Sequence, residues 1–161
     1  SSFYFDIRKD VLYCDSLNSK KRKNCVKVLN VILESLLKWF APILVFTTDE
    51  IYSLINKDEK NIHEHYFVSI PKNWENKKLS EKWDKLLQIK EEVNIAIEAK
   101  RSSKEIGSSL EAEVKLSVNK NKFELLKNLD LAEYLITSKA EKFLLEGKEI
   151  KIEINKAKGN K

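Results

Sequence analysis

Glycine occurs only three times in 161 residues, at Gly107, Gly147 and Gly159. That excludes a phosphate-cradling P-loop and a glycine-rich dinucleotide fingerprint. Cysteine occurs twice, as Cys14 and Cys25, with no CxxC pair; this is neither a disulfide framework nor a zinc site, and both thiols are expected to be reduced and packed in a core. The two histidines stand together as His63-Glu64-His65. Their i, i+2 spacing suits an extended or loop segment and supplies no third ligand nearby, so no metal site is expected there. Methionine is absent and the chain begins with Ser. No basic start leads into an apolar run, so no secretion signal is read, and the chain is expected to be cut from a longer polypeptide. The longest apolar stretches, such as residues 43–46, are four or five residues, against the roughly 20 needed to span a bilayer.

Against these shortages stand 30 Lys+Arg and 25 Asp+Glu, a net charge of +5. Arg8, Arg22 and Arg101 are the only arginines; the other basic residues are lysine, and Asn and Ile are also abundant. An AT-rich genome imposes that bias, so net charge alone does not identify a nucleic-acid binder. With 42% apolar and 34% charged residues, the composition is that of a globular chain with a heavily charged surface. The length suits one domain, or one with a small second lobe.

Periodicity predicts helices over the first half. Phe3, Ile7, Val11 and Cys14 recur at helical spacing, and after a polar break at 15–19 a second helix is expected from Lys20 to Phe40. Its stripe is Cys25, Leu29, Ile32, Leu36 and Phe40, widened by Val28, Leu33 and Leu37. Pro42 stops it. Thr47-Thr48-Asp49-Glu50 predicts a third helix capped by Thr47, with Phe46 stapled against Ile51. Residues 57–79 read as a long connection that includes a few extended residues. A fourth helix from Ser80 is written by Trp83, Leu86, Leu87, Val93, Ala96 and Ile97. Beyond Gly107 the texture becomes alternation from Leu110 to Val118, a half-buried strand. A short helix at 122–129, an apolar stretch at 134–136 and a second alternation at Ile150, Ile152 and Ile154 follow. The fold class expected is mainly α: a helical bundle over 1–107, then a small α/β lobe over 108–161.

No convergent nucleophile, base or paired-carboxylate constellation is found, so no catalytic residues are assigned. The candidate for function is the run Lys20, Lys21, Arg22 and Lys23 at the start of the second helix. Four cations there oppose the helix dipole, at about 0.3–1 kcal/mol per charge at low salt. Either this is a solvated, lysine-biased helix start, or it meets phosphate. Lys90, Asn94 and Arg101 fall on the apolar side of the fourth helix wheel. With Lys104, they belong either to a structural network with acidic residues of neighbouring helices or to the rim of an RNA groove. Most aromatics are expected in the core. Tyr66 and Trp74 lie in the connection, where an exposed ring stacks well on an unpaired base.

Three segments then carry a resemblance. Residues 1–14 (Ser-Ser-Phe-Tyr-Phe-Asp-Ile-Arg-Lys-Asp-Val-Leu-Tyr-Cys), Ala41-Pro42-Ile43-Leu44 with Phe46-Thr47 and Glu50-Ile51, and Ile106-Gly107-Ser108-Ser109-Leu110-Glu111-Ala112 resemble the C-terminal part of bacterial-type isoleucyl-tRNA synthetases, over nearly the whole chain. The proline segment alone fits valyl- and leucyl-tRNA synthetases as well; the opening segment together with Gly-Ser-Ser-Leu-Glu-Ala favours the isoleucine enzymes. The likeness implies a helical anticodon-binding domain followed by a small junction lobe, a monomer in the cytoplasm, and isoleucine tRNA as partner, with no DNA or membrane. It implies a parent ligase that uses ATP with magnesium, with zinc as a further candidate, to attach isoleucine to tRNA. The His-x-Gly-His and Lys-Met-Ser-Lys-Ser segments of class I synthetases are absent, so this piece is not expected to activate or edit an amino acid and holds no cofactor itself. Arg22 and Lys23 lead the tRNA-contact candidates, with Lys20, Lys21, Lys90, Arg101 and Lys104 behind them. Two departures stand out. Val26 occupies a place where a family glutamine contact is then impossible, and the chain ends at Gly159-Asn160-Lys161, where relatives often enter a four-cysteine zinc knob. A helical scaffold for a protein partner, without RNA binding, is the rival reading; a metal enzyme using His63 and His65 is the third.

Overall fold

The computed structural model describes residues 2–56, 61–147 and 150–159. Residues 57–60 of the expected connection, and Ser1, Asn160 and Lys161 of the segments quoted above, lie outside the described residues. Six α-helices and three strands are formed among those described: α1 (Ser2–Tyr13), α2 (Lys20–Phe40), α3 (Val45–Ile55), α4 (Lys77–Ser102), β1 (Ala112–Val118), α5 (Lys120–Leu125), α6 (Leu131–Leu135), β2 (Lys139–Leu144) and β3 (Lys151–Lys156). The expected fold class, mainly α with a small α/β lobe, is the one found.

By contacts the chain divides into two units, Arg8–Glu75 and the first seven residues together with the chain from Asn76 onward. This cuts the chain differently from the expected division at 107 and 108, because α4 shares one core with the strands. In that α/β unit, Leu86, Ile89, Val93 and Ile97 of α4 are buried together with Val114, Leu116 and Val118 of β1. The i, i+3, i+7 spacing puts the four on one side of the helix, and the period of two puts the three on one side of the strand. β1 is the central strand, parallel to β2 and antiparallel to β3.

With glycine scarce, helix starts are written by short polar side chains. Ser19 caps α2, Asn76 caps α4, Asn119 caps α5 and Asp130 caps α6, each side chain accepting a backbone N–H of the first turn, as expected of such residues. α3 is the exception. It begins at Val45, two residues before the expected cap, and Leu44 at its N-cap offers no side-chain bond. Thr48 donates instead to the Leu44 carbonyl at 2.8 Å, so Thr47 is not the cap, and Phe46, 88% exposed, staples nothing.

The helical unit has a smaller core of Leu37, Ala41, Tyr52 and Ile62, with Leu33 and Ile51 packed against it. The expected α2 stripe is only half realised. Cys25 and Leu37 are buried, but Val28, Ile32, Leu36 and Phe40 are exposed, because α3 and the turn at Ile62–Glu64 cover only the row through Leu33 and Leu37. Trp39, Tyr13 and Phe46 are likewise exposed, against the expectation that most aromatics sit in a core. Cys14 is exposed too, and only Cys25 is the buried thiol expected of both. The residues around 134–136 close a short helix, and β2 is a strand that the sequence reading did not foresee.

Two measurements test this packing. Leu86→Ala should cost about 2–5 kcal/mol in urea unfolding, whereas Ile95→Ala on the same helix, 67% exposed, should stay within about 0.5 kcal/mol. Tyr134 is buried among Phe3 and Trp83, with ring centroids at 5.8 and 6.0 Å, and its hydroxyl has no hydrogen-bond partner among the described residues. Burial pushes that phenol up to about 12. The unfolded chain loses the proton near pH 10 while the folded chain keeps it, so the unfolded state binds fewer protons between pH 10 and 12 and stability falls across that window. Tyr134→Phe should flatten that fall and, by removing an unsatisfied hydroxyl, add about 1 kcal/mol at pH 7.

Candidate nucleic-acid interface

The basic run opens α2, as expected, and no acidic residue shares its first turn. The cap relieves part of the electrostatic cost. Ser19 Oγ accepts the Arg22 N–H at 3.3 Å and donates to Asp15 Oδ2 at 2.9 Å. The Arg22 guanidinium donates back to the Asp15 carbonyl at 3.3 Å, and the Lys23 ammonium to Asn18 Oδ1 at 3.4 Å. Arg22 is half-buried; Lys20, Lys21 and Lys23 are exposed. Lys20 and Lys23 form no ion pair among the described residues. The helix start therefore presents positive charge on a backbone whose own free N–H groups add to it, an arrangement suited to anionic groups.

In the α/β unit, the expected second set separates into three fates. Lys90 is half-buried, and its ammonium donates to the Tyr134 carbonyl at 2.9 Å while lying 4.7 Å above the Phe3 ring and 5.3 Å from the Tyr134 ring. Burial holds it below the ordinary lysine range, with the Asp6 carboxylate acting the other way. Arg101 is exposed and pairs with Glu98 at 2.6 Å, three residues before it. Lys104 is exposed in the left-handed region, φ 58°, one of two non-glycine residues there among those described, and forms no ion pair among them.

Lys90, Asn94 and Arg101 do line one groove. It has a volume of ≈ 650 Å³ and runs along α4, with Leu135 and Ile136 opposite and Phe3 and Asp6 at one end. Asp6, Ser109 and Ile136 were not legible as neighbours of this set, since no spacing rule links them to α4.

The histidines are used internally. His65 Nε2 bonds the Tyr52 hydroxyl at 3.0 Å and His63 Nε2 the Val45 carbonyl at 3.3 Å. Among the described residues no three His, Cys, Asp or Glu are grouped to hold a metal. Tyr66 and Trp74 are exposed, at 93% and 60%. Among the described residues no helix is long and apolar enough to cross a membrane.

Comparison with known proteins gives a consistent picture. The family described as "Anticodon-binding domain of tRNA ligase" matches residues 1–116. An isoleucine–tRNA ligase of Pelagibacter ubique is 56% identical over the whole of this chain, which covers 18% of that protein. Isoleucine–tRNA ligases of Bartonella quintana and Mesorhizobium japonicum are 45% and 44% identical over 86% of this chain and 14% of their own length. The chain thus spans less than a fifth of these curated relatives.

Proposed function

Because the chain belongs to the family of anticodon-binding domains of tRNA ligases, we propose that it is the tRNA-gripping part of an isoleucine–tRNA ligase and contacts the anticodon stem and loop of isoleucine tRNA. The observation that carries this is the basic start of α2, where Lys20, Arg22 and Lys23 stand in a first turn that holds no acidic residue. Phosphate contacts position an RNA, and groups beside them read its bases. Arg22 and Lys23 hold the stem or loop backbone, and Lys20 and Lys21 add to the field; Lys104 and Arg101, the latter already paired with Glu98, are secondary candidates. Lys90 stands apart from the other six candidates, since its ammonium is already held by a carbonyl and two rings. In domain terms, residues 1–107 carry most of the grip and 108–161 form the junction that follows it.

The parent works as a monomer in the cytoplasm and takes isoleucine, ATP with magnesium, and tRNA. The residues of this chain do not fit a nucleotide: three glycines build no phosphate loop. Nor do they fit zinc, with two cysteines too far apart in sequence for a zinc motif. The bond-making chemistry is therefore assigned to the rest of the ligase, and this chain's share is to bind and orient the tRNA.

One observation favours a second reading. Val28, Ile32, Leu36, Trp39 and Phe46 are exposed in the helical unit, which suits a surface that another protein segment covers. The two readings part on one experiment. Arg22→Ala with Lys23→Ala should weaken isoleucine tRNA binding at least tenfold at low salt and reduce the slope of log affinity against log salt by about 1–2. Unchanged RNA affinity and aminoacylation would leave the scaffold reading standing alone.

A further inference from the structure

Resting on the RNA reading above, we propose that Asp15 is a positioning residue for the tRNA grip: its carboxylate closes the turn 15–19, and the closed turn holds the Arg22 guanidinium for a phosphate without neutralising it. The bonds form a circuit inside the helical unit. Ser19 Oγ donates to Asp15 Oδ2 at 2.9 Å and accepts the Arg22 N–H at 3.3 Å, while the Ser19 N–H donates to the Ser16 carbonyl at 2.9 Å. The Asp15 carbonyl is thereby placed where Arg22 Nη1 donates to it at 3.3 Å. The remaining guanidinium N–H groups have no partner among the described residues. Asp15, Ser19 and Arg22 are half-buried, whereas residues 16–18 between them are exposed.

An acid beside a cluster of cations ordinarily pairs with one of them and cancels its charge. Asp15 forms no ion pair among the described residues: its carboxylate takes a hydroxyl, and its carbonyl takes the guanidinium. Lys23 is held in the same manner, its ammonium donating to the amide oxygen of Asn18 in the same turn at 3.4 Å. Both cations are thus oriented by neutral dipoles, which give direction and leave the charge in place. Ordering a long side chain in advance removes part of the entropy lost on binding, and a planar fork held in one place suits the paired oxygens of a phosphate. The Asp15 carboxylate also subtracts from the field that draws an RNA. Its charge and its hydrogen bond therefore act in opposite directions on binding, which makes the positioning role separable from simple electrostatics.

The test uses the ligase that contains this chain, with isoleucine tRNA titrated at two salt concentrations. Asp15→Asn removes the charge but keeps an oxygen for the Ser19 hydroxyl, and should bind about twofold more tightly at low salt, the scale of one exposed charge. Asp15→Ala removes the same charge and opens the turn; it should bind about threefold more weakly and reduce the salt slope by about 1. Ser19→Ala breaks the bond from its other end with Asp15 still charged, and should lose at least as much. In an Arg22→Ala background the Asp15→Ala loss should vanish, because no guanidinium remains to be held. A role confined to helix stability would disturb Lys20 and Lys23 as well, and its penalty would survive in that background. Equal tightening by Asp15→Asn and Asp15→Ala, undiminished binding by Ser19→Ala, or a loss that persists without Arg22 overturns the positioning role while leaving the α2 grip intact. A ligase whose tRNA binding is indifferent to salt and to Arg22 and Lys23 overturns the underlying reading, and with it this one.

Discussion

The burial of one side of α4 against one side of β1 is the constraint on which the α/β unit depends. Leu86, Ile89, Val93 and Ile97 are nearly inaccessible, as are Val114, Leu116 and Val118. Burying side chains of this size stabilises by about 1.5–3 kcal/mol each. That packing also fixes the rotation of α4 about its own axis. Because successive residues turn by about 100°, Leu87, Asn94 and Arg101 must stand beside the buried row, where they form the floor of the groove. The polar set is therefore placed by the apolar one.

A shortage of glycine is answered with lysine. Helices commonly end on a glycine in the left-handed region, but α6 ends on Ile136 and the turn after α4 uses Lys104, both at φ 58°. The carbonyls left over at such ends find ammonium groups. Lys90 takes the Tyr134 carbonyl at the end of α6, and Lys142 takes the Leu126 carbonyl at 2.6 Å and that of Lys127 at 3.3 Å beyond α5. Cations at helix C-termini are favoured by the dipole, so part of the chain's basicity serves its own backbone. Counting positive residues overstates how many are available to an RNA.

Much of this was legible in the sequence, in proportion to how local its cause is. The long helices α2 and α4 and the strand β1 show strict periodicity, and their existence follows from it. β2 reads Lys-Ala-Glu-Lys-Phe-Leu and lies at the sheet edge, half covered, so it shows little alternation; its strand character comes from pairing with β1, which no local window contains. The start of α3 was misread because Thr47 to Glu50 has the letters of a cap while the chain turns earlier, through Ile43 and Leu44 bonding the Phe40 carbonyl. The exposed half of the α2 stripe was legible as apolar but not as uncovered, since periodicity says which side of a helix is apolar and not what lies against it. At the candidate site, Arg22 and Lys23 were legible because a dipole argument is local. Lys90 and Arg101 were found as a pair on one wheel face, yet their unlike partners, a carbonyl 44 residues away and a carboxylate three residues away, set them apart only in three dimensions.

The two basic regions differ in the quantity that matters for RNA, which is the field left over after internal pairing. At the start of α2 the helix dipole adds to the side-chain charge, Ser19 and Asn18 are neutral, and Asp15 is the one carboxylate in the capping bonds. A phosphate placed there replaces water around charges that already repel one another, and counterion release adds to the gain. In the groove along α4, Lys90 is held by the Tyr134 carbonyl and Arg101 by Glu98, and the lining holds one more carboxylate than cations. The two regions therefore differ in residual charge: the start of α2 keeps a positive field, and the groove along α4 does not.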